Sequence, residues 1–156
     1  MRAHAALNVM PDSRPIAPFT HRFRVRYAEV DPQSVVFNSR YLEYADLLIT
    51  EHWRHCGIHF AGGAETTTGH LEFHVVRAEV DFRSPIRVDE WVEGRVYTDR
   101  IGTSSVTTRI ELHGANPDAE PDLRATIALV HVHVDLATGQ PMPVPPQARL
   151  ALGVPA

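Results

Sequence analysis

Only one cysteine, Cys56, occurs in the 156 residues, which rules out an intrachain disulfide and fits a reducing compartment. No base is identifiable beside that thiol, and at the end of an apolar-periodic stretch it reads as a small packed side chain, not a nucleophile. No apolar run reaches the length needed to span a bilayer. The first 18 residues hold Pro11, Pro15 and Pro18 and lack the continuous apolar stretch of a leader, so they read as a flexible arm, and a cytoplasmic location is expected. There is no excess of positive charge: a net charge of −4 argues against a nucleic-acid partner held by bulk attraction. No G-x-S-x-G elbow and no glycine-rich phosphate loop occur, so Ser-His-Asp hydrolases and nucleotide-binding folds are set aside. There is no internal repeat.

At 44% hydrophobic, the chain can build a single core and forms one domain. The most informative stretch runs from Tyr27 to Trp53. A strand is predicted from Phe19 to Tyr27, with Phe23, Val25 and Tyr27 alternating with Arg22, Arg24 and Arg26 to give one buried and one basic face. Pro32 ends the strand, so Asp31 sits at a turn. Asn38 or Ser39 can cap the helix that follows. The stripe Tyr41, Tyr44, Ala45, Leu48, Ile49, His52 and Trp53 predicts a helix over 39–56, stopped at Gly57. The N-terminus of such a helix presents unpaired N–H groups, and a carboxylate just upstream can share that spot with an electrophilic carbonyl.

Beyond a glycine- and threonine-rich connection from Ile58, the pattern is all strand: His70–Phe82, Glu90–Asp99, Ser104–Leu112 and Leu123–Asp135. Gly94 and Gly102 interrupt these patterns and suggest turns or bulges, while the polar segment after Leu112 reads as a hairpin loop. After Gly139, Pro141, Pro143, Pro145 and Pro146 predict an extended surface tail without a helix. His131 and His133 are two apart and face the same way, with His70 and His74 nearby in the pattern. Sheets often put such pairs on a solvated face, and no Cys or acidic partner has ligand spacing, so no metal is expected. The pattern alone gives an α+β domain with an antiparallel sheet covered by one helix.

The residues Tyr27, Asp31-Pro32, Val36-Phe37, Tyr41, Tyr44, Asp46 and Cys56-Gly57 resemble the 4-hydroxybenzoyl-CoA thioesterase family of hotdog-fold proteins. The segments FHVVRAEVDFRSPIRVDEWVEGRV, RIGTSSVTTRIEL and DLATGQPMPVPPQAR extend the likeness from about Phe19 to Arg149. The resemblance implies a hotdog fold, a five-stranded antiparallel sheet wrapped around one long helix. That domain would span 19–149, between the arm at 1–18 and a tail at 150–156. It also implies hydrolysis of an acyl-CoA. In that reading Asp31 is nucleophile or general base, and the backbone N–H of Asn38 polarises the thioester carbonyl. Phe37 and Tyr41 would contact substrate, and Arg83, Arg87 and Arg100 the CoA phosphates. Neither cofactor nor metal is implied, nor a nucleic-acid or membrane partner; a homodimer or homotetramer is. The alternatives are an acyl carrier protein thioesterase and a non-catalytic hotdog module that binds a thioester or a protein.

Two positions depart from the family pattern. Ser34 stands where a D-x-x-G motif has glycine, which restricts any positive φ there. Asn38 stands where relatives often carry histidine, and an amide cannot shuttle a proton as imidazole does.

Overall fold

The computed structural model describes residues 17–58 and 71–153. The expectations for residues 1–16, for the 59–70 connection including His70, and for 154–156 lie outside the described residues. Five strands, β1 (Phe19–Arg24), β2 (Phe73–Phe82), β3 (Trp91–Ile101), β4 (Ser105–Gly114) and β5 (Asp122–His133), form one antiparallel sheet in the order β1-β3-β4-β5-β2. One long helix, α1 (Arg40–His55), covers it, and a short second helix, α2 (Pro146–Ala151), follows the last strand.

The stripe that predicts α1 is the face it buries: Tyr41, Tyr44, Ala45, Leu48, Ile49, His52 and Trp53. Gly57, at φ 78°, takes the left-handed position that ends the helix, its N–H bonding the Arg54 carbonyl at 3.1 Å. Against this stripe pack Val92 and Val96 of β3, Val106, Ile110 and Leu112 of β4, and Ala125, Ile127 and Leu129 of β5. Gly94 marks the close approach rather than a bulge: a Cβ there would lie 2.3 Å from Leu48 Cδ1, so only hydrogen lets helix and sheet meet. The bulge in β3 lies at Thr98/Arg100 instead, and Gly102 belongs to the β3–β4 turn, its N–H bonding the Ser105 carbonyl at 2.8 Å.

Three expectations are corrected. β1 stops at Arg24, and Tyr27–Glu29 form a 3-10 turn that leaves Tyr27 87% exposed. The cause is local: the Glu29 carboxylate accepts the Arg26 N–H at 2.8 Å and takes that donor away from a ladder. Second, the proline-rich tail is extended only as far as Val144, and then α2 begins with Pro145 as N-cap and Pro146 at its first position, where a missing N–H costs nothing. α2 crosses the expected 149/150 boundary, and Ala148 and Leu152 join the core. Third, His131 and His133 face inward, 7% and 4% exposed.

His52, on the buried face of α1, has no partner for Nε2 among the described residues. Burial, helped by His55, pushes its pKa from about 6.5 down to about 4. The unfolded chain therefore takes up this proton near pH 6.5 and the folded chain only near pH 4, so the unfolded state binds more protons across that window. Stability from this residue is complete above pH 6.5 and is lost as pH falls toward 4, by up to about 3 kcal/mol. His52→Leu is expected to flatten the fall in Tm between neutral and mildly acidic pH in calorimetry.

Candidate active site

Between β1 and α1 the chain makes a small ladder of its own. The Asp31 N–H bonds the Val35 carbonyl at 2.9 Å, Val30 pairs with Val36, and the Phe37 N–H bonds the Glu29 carbonyl at 3.1 Å. A third segment joins from the connection after β2, where Val35 pairs with Arg87 and the Val36 N–H bonds the Ile86 carbonyl at 2.8 Å. Asp31, Val35 and Arg87 thus form one row across three short strands.

The loop that carries Asp31 is the three-residue hairpin Pro32-Gln33-Ser34. The Ser34 N–H closes the turn on the Asp31 carbonyl at 2.9 Å, and Ser34 itself lies at φ 62°. Asp31 Oδ1 accepts the Gln33 N–H at 2.8 Å, while Oδ2 has no partner among the described residues. One oxygen thus fixes the side chain against its own turn, and the other stays open. The serine departure therefore does not change the turn: Ser34 adopts the left-handed geometry that glycine would take, at a cost of about 1 kcal/mol. Ser34→Gly is expected to raise stability by about 1 kcal/mol with turnover unchanged, read from paired denaturation and rate measurements.

The second half of the site is the start of α1. Ser39 is the N-cap at φ −66°, ψ −24°, and makes no side-chain cap bond. Asn38 makes none either, so the expected side-chain cap is absent; a cap needs an extended N-cap backbone, and Ser39 is already helical. The Arg40 N–H bonds the Phe37 carbonyl at 2.9 Å, which makes Asn38 and Ser39 the corner of a turn. Among the described residues the N–H groups of Asn38 and Ser39 have no partner.

Two hollows flank the ladder. Val35, Val36, Asn38, Tyr41, Phe82 and Arg83 line one of about 250 Å³. Tyr27, Val30, Asp31, Pro32 and Ser34 line another of about 350 Å³. The structure brings Asn38, Tyr41 and Arg83 to one hollow and Asp31 to its neighbour. Tyr41 packs edge-on against Phe82 at 4.8 Å, and burial pushes its hydroxyl pKa up. Phe37 is half exposed beside them. Arg83 and Arg87 are exposed on the connection after β2, their guanidinium groups unpartnered among the described residues. Arg100 does not join them: it lies near the far end of β3 from Trp91, about 30 Å along the strand.

Sequence reasoning missed Glu29. It is 6% exposed, bonded by Arg26 Nε at 2.9 Å and by the Tyr44 hydroxyl at 2.9 Å. Burial pushes its carboxyl up, but the Arg26 and Tyr44 hydrogen bonds and the Arg26 charge outweigh that and hold it below the usual range. Parity gave no signal for it, because strand alternation ends at Arg24 and Tyr27, in the same turn, is exposed. Cys56 is no nucleophile: His52 Nδ1 lies 3.9 Å from Sγ, but burial pushes the thiol up and keeps that imidazole neutral. Among the described residues no group of three His, Cys, Asp or Glu is arranged to hold a metal ion.

A five-stranded antiparallel sheet packed on one long helix is the architecture of the hotdog class. The model of the Thioesterase superfamily matches residues 33–119, and the chain belongs to that superfamily. The matched stretch opens just after Asp31 and takes in Asn38 and all of α1. A thioesterase from Thermus thermophilus, complexed with coenzyme A and Zn, is 26% identical, with a TM-score of 0.71 over 88% of this chain and 99% of that one. A 1,4-dihydroxy-2-naphthoyl-CoA thioesterase from Synechocystis is 19% identical, with a TM-score of 0.74 over 86% and 94%. An aspartate-to-asparagine variant of 4-hydroxybenzoyl-CoA thioesterase, complexed with 4-hydroxybenzoyl-CoA, is 14% identical, with a TM-score of 0.76 over 88% and 100%. No curated protein sequence matches the chain. Membership in this superfamily supports thioester hydrolysis as the class of reaction.

Proposed function

We propose that the protein hydrolyses an acyl-CoA to a free acid and CoA. Asp31 attacks the thioester carbonyl or activates water toward it, and the Asn38 N–H stabilises the oxyanion. The observation that carries this reading is the pairing of a carboxylate held by one oxygen with an unpartnered N–H at a helix start. The ladder register puts the two Cα atoms on the order of 10 Å apart. That span matches an aspartate side chain, an approach of about 3 Å to the carbonyl carbon, the C=O bond and an N–H···O contact of about 2.9 Å.

The hollow beside Asn38, walled by Val36, Tyr41 and Phe82, suits the apolar part of the thioester, with Phe37 at its edge. Arg83 and Arg87 are placed for the CoA phosphates, and Arg100 serves only if a second subunit brings it near. A second subunit is part of the proposal. β2 is an edge strand of ten residues bonded on one side only, and its Val75, Val76 and Phe82 are 54%, 61% and 55% exposed. Light scattering is expected to show at least a dimer.

Among the described residues no helix is long and apolar enough to cross a membrane. With its single cysteine, the protein is assigned to the cytoplasm, where acyl-CoA is met in a reducing medium. The deciding experiment is thiol release from benzoyl-, phenylacetyl-, hexanoyl- and palmitoyl-CoA, with an acylated carrier protein in parallel. Release from one of the four supports the proposal. Binding of all without release would make the protein a thioester-binding module, and release from the carrier protein alone would change the carrier.

A further inference from the structure

We infer that Glu29 is a positioning residue for the reaction, locking the Asp31 hairpin and the start of α1 to one another; the inference rests on the roles proposed for Asp31 and Asn38. A carboxylate this buried is costly to desolvate unless its oxygens are bonded. Here Oε2 accepts the Arg26 N–H at 2.8 Å and the Tyr44 hydroxyl at 2.9 Å, and Oε1 accepts Arg26 Nε at 2.9 Å. Arg26 opens the turn that leads into Asp31, and Tyr44 belongs to α1. The backbone of the same residue reaches the other half of the site, since its carbonyl accepts the N–H of Phe37, the residue before Asn38, at 3.1 Å. Both proposed catalytic groups are therefore referenced to one side chain and its own peptide.

Packing at this junction is incomplete. A hollow of about 320 Å³, lined by Phe23, Arg26, Glu29, Glu43, Tyr44 and Leu47, lies where the turn meets the helix. Beside this opening, the directed bonds of Glu29 add to the core packing of Val36 and Tyr44 in fixing how the two elements sit. A misplacement of a catalytic group by about 1 Å costs roughly 100-fold in rate, so partial loosening is expected to cost roughly 10-fold.

The test uses Tyr44→Phe, which removes one hydroxyl and leaves the ring packed on Phe23 at 4.7 Å, alongside Glu29→Gln, both in the full chain. With the panel acyl-CoA that the parent hydrolyses fastest, kcat is expected to fall roughly 10-fold in each while KM changes less than about 2-fold. In hydrogen exchange the amides of Gln33, Ser34 and Phe37 should quicken while those of β3 to β5 stay unchanged. If Glu29→Gln does not fold, Tyr44→Phe alone decides. A lower Tm with unchanged kcat makes Glu29 a brace for folding and sinks the inference, as does a lost kcat with unchanged exchange. Asp31→Asn, run alongside, separates the two ideas: near-normal turnover there removes the Asp31 assignment, whatever the Tyr44 variant does to exchange.

Discussion

Asp31→Asn is expected to lower turnover at least about 100-fold while leaving the fold intact. The expectation follows from how the two carboxylate oxygens are used. Oδ1 accepts the Gln33 N–H at 2.8 Å, and an asparagine oxygen in the same place accepts it equally well, so the turn survives the change. Oδ2, without a partner among the described residues, becomes an NH₂ group that is neither nucleophile nor base. Stability should shift by less than about 0.5 kcal/mol, since the backbone bonds from Ser34 to Asp31 and from Asp31 to Val35 are untouched. Denaturation curves and single-turnover rates on the same preparation check both halves. Near-normal turnover in a well-folded variant would show that Asp31 serves only its turn.

What could be read in the sequence divides along physical lines. α1 was legible because seven apolar or aromatic positions follow one period, and the same seven are buried. The strands of the sheet were legible for the same kind of reason, with ends displaced by a few residues. The inward face of His131 and His133 was not. Val130 and Val132 put apolar residues on the opposite parity to Ile127 and Leu129, so alternation in β5 does not say which face is covered. α2 was hidden by its prolines, which forbid a helix interior but suit a helix start. Glu29 escaped because an isolated carboxylate in a charged stretch reads as solvated until its three donors are seen. Of the candidate site, Asp31 and Asn38 could be singled out, but the division into two hollows and the separation of Arg100 depend on register, which local pattern does not carry.

The start of α1 separates a backbone donor from a side-chain one. Asn38→Ala removes an amide that caps nothing, so both stability and turnover should change little, by less than about 0.5 kcal/mol and about 3-fold. Ser39→Pro acts differently. Ser39 sits at φ −66°, which proline accepts, and its N–H has no partner among the described residues, so the ring costs no hydrogen bond of its own. The constraint falls on the residue before it. Proline drives its predecessor out of the helical region, yet the Arg40 N–H bonds the Phe37 carbonyl at 2.9 Å across a turn with Asn38 at its first corner. Either that turn opens or the proline is strained, and in both cases the Asn38 N–H is re-aimed. Losing one donor to an oxyanion costs roughly 3 kcal/mol, so turnover should fall on the order of 100-fold, with KM changed far less. Circular dichroism should still show α1, because the helix beyond Arg40 keeps its own bonds. The opposite result, a dead Asn38→Ala beside a fully active Ser39→Pro, would move the function from the peptide N–H to the amide side chain.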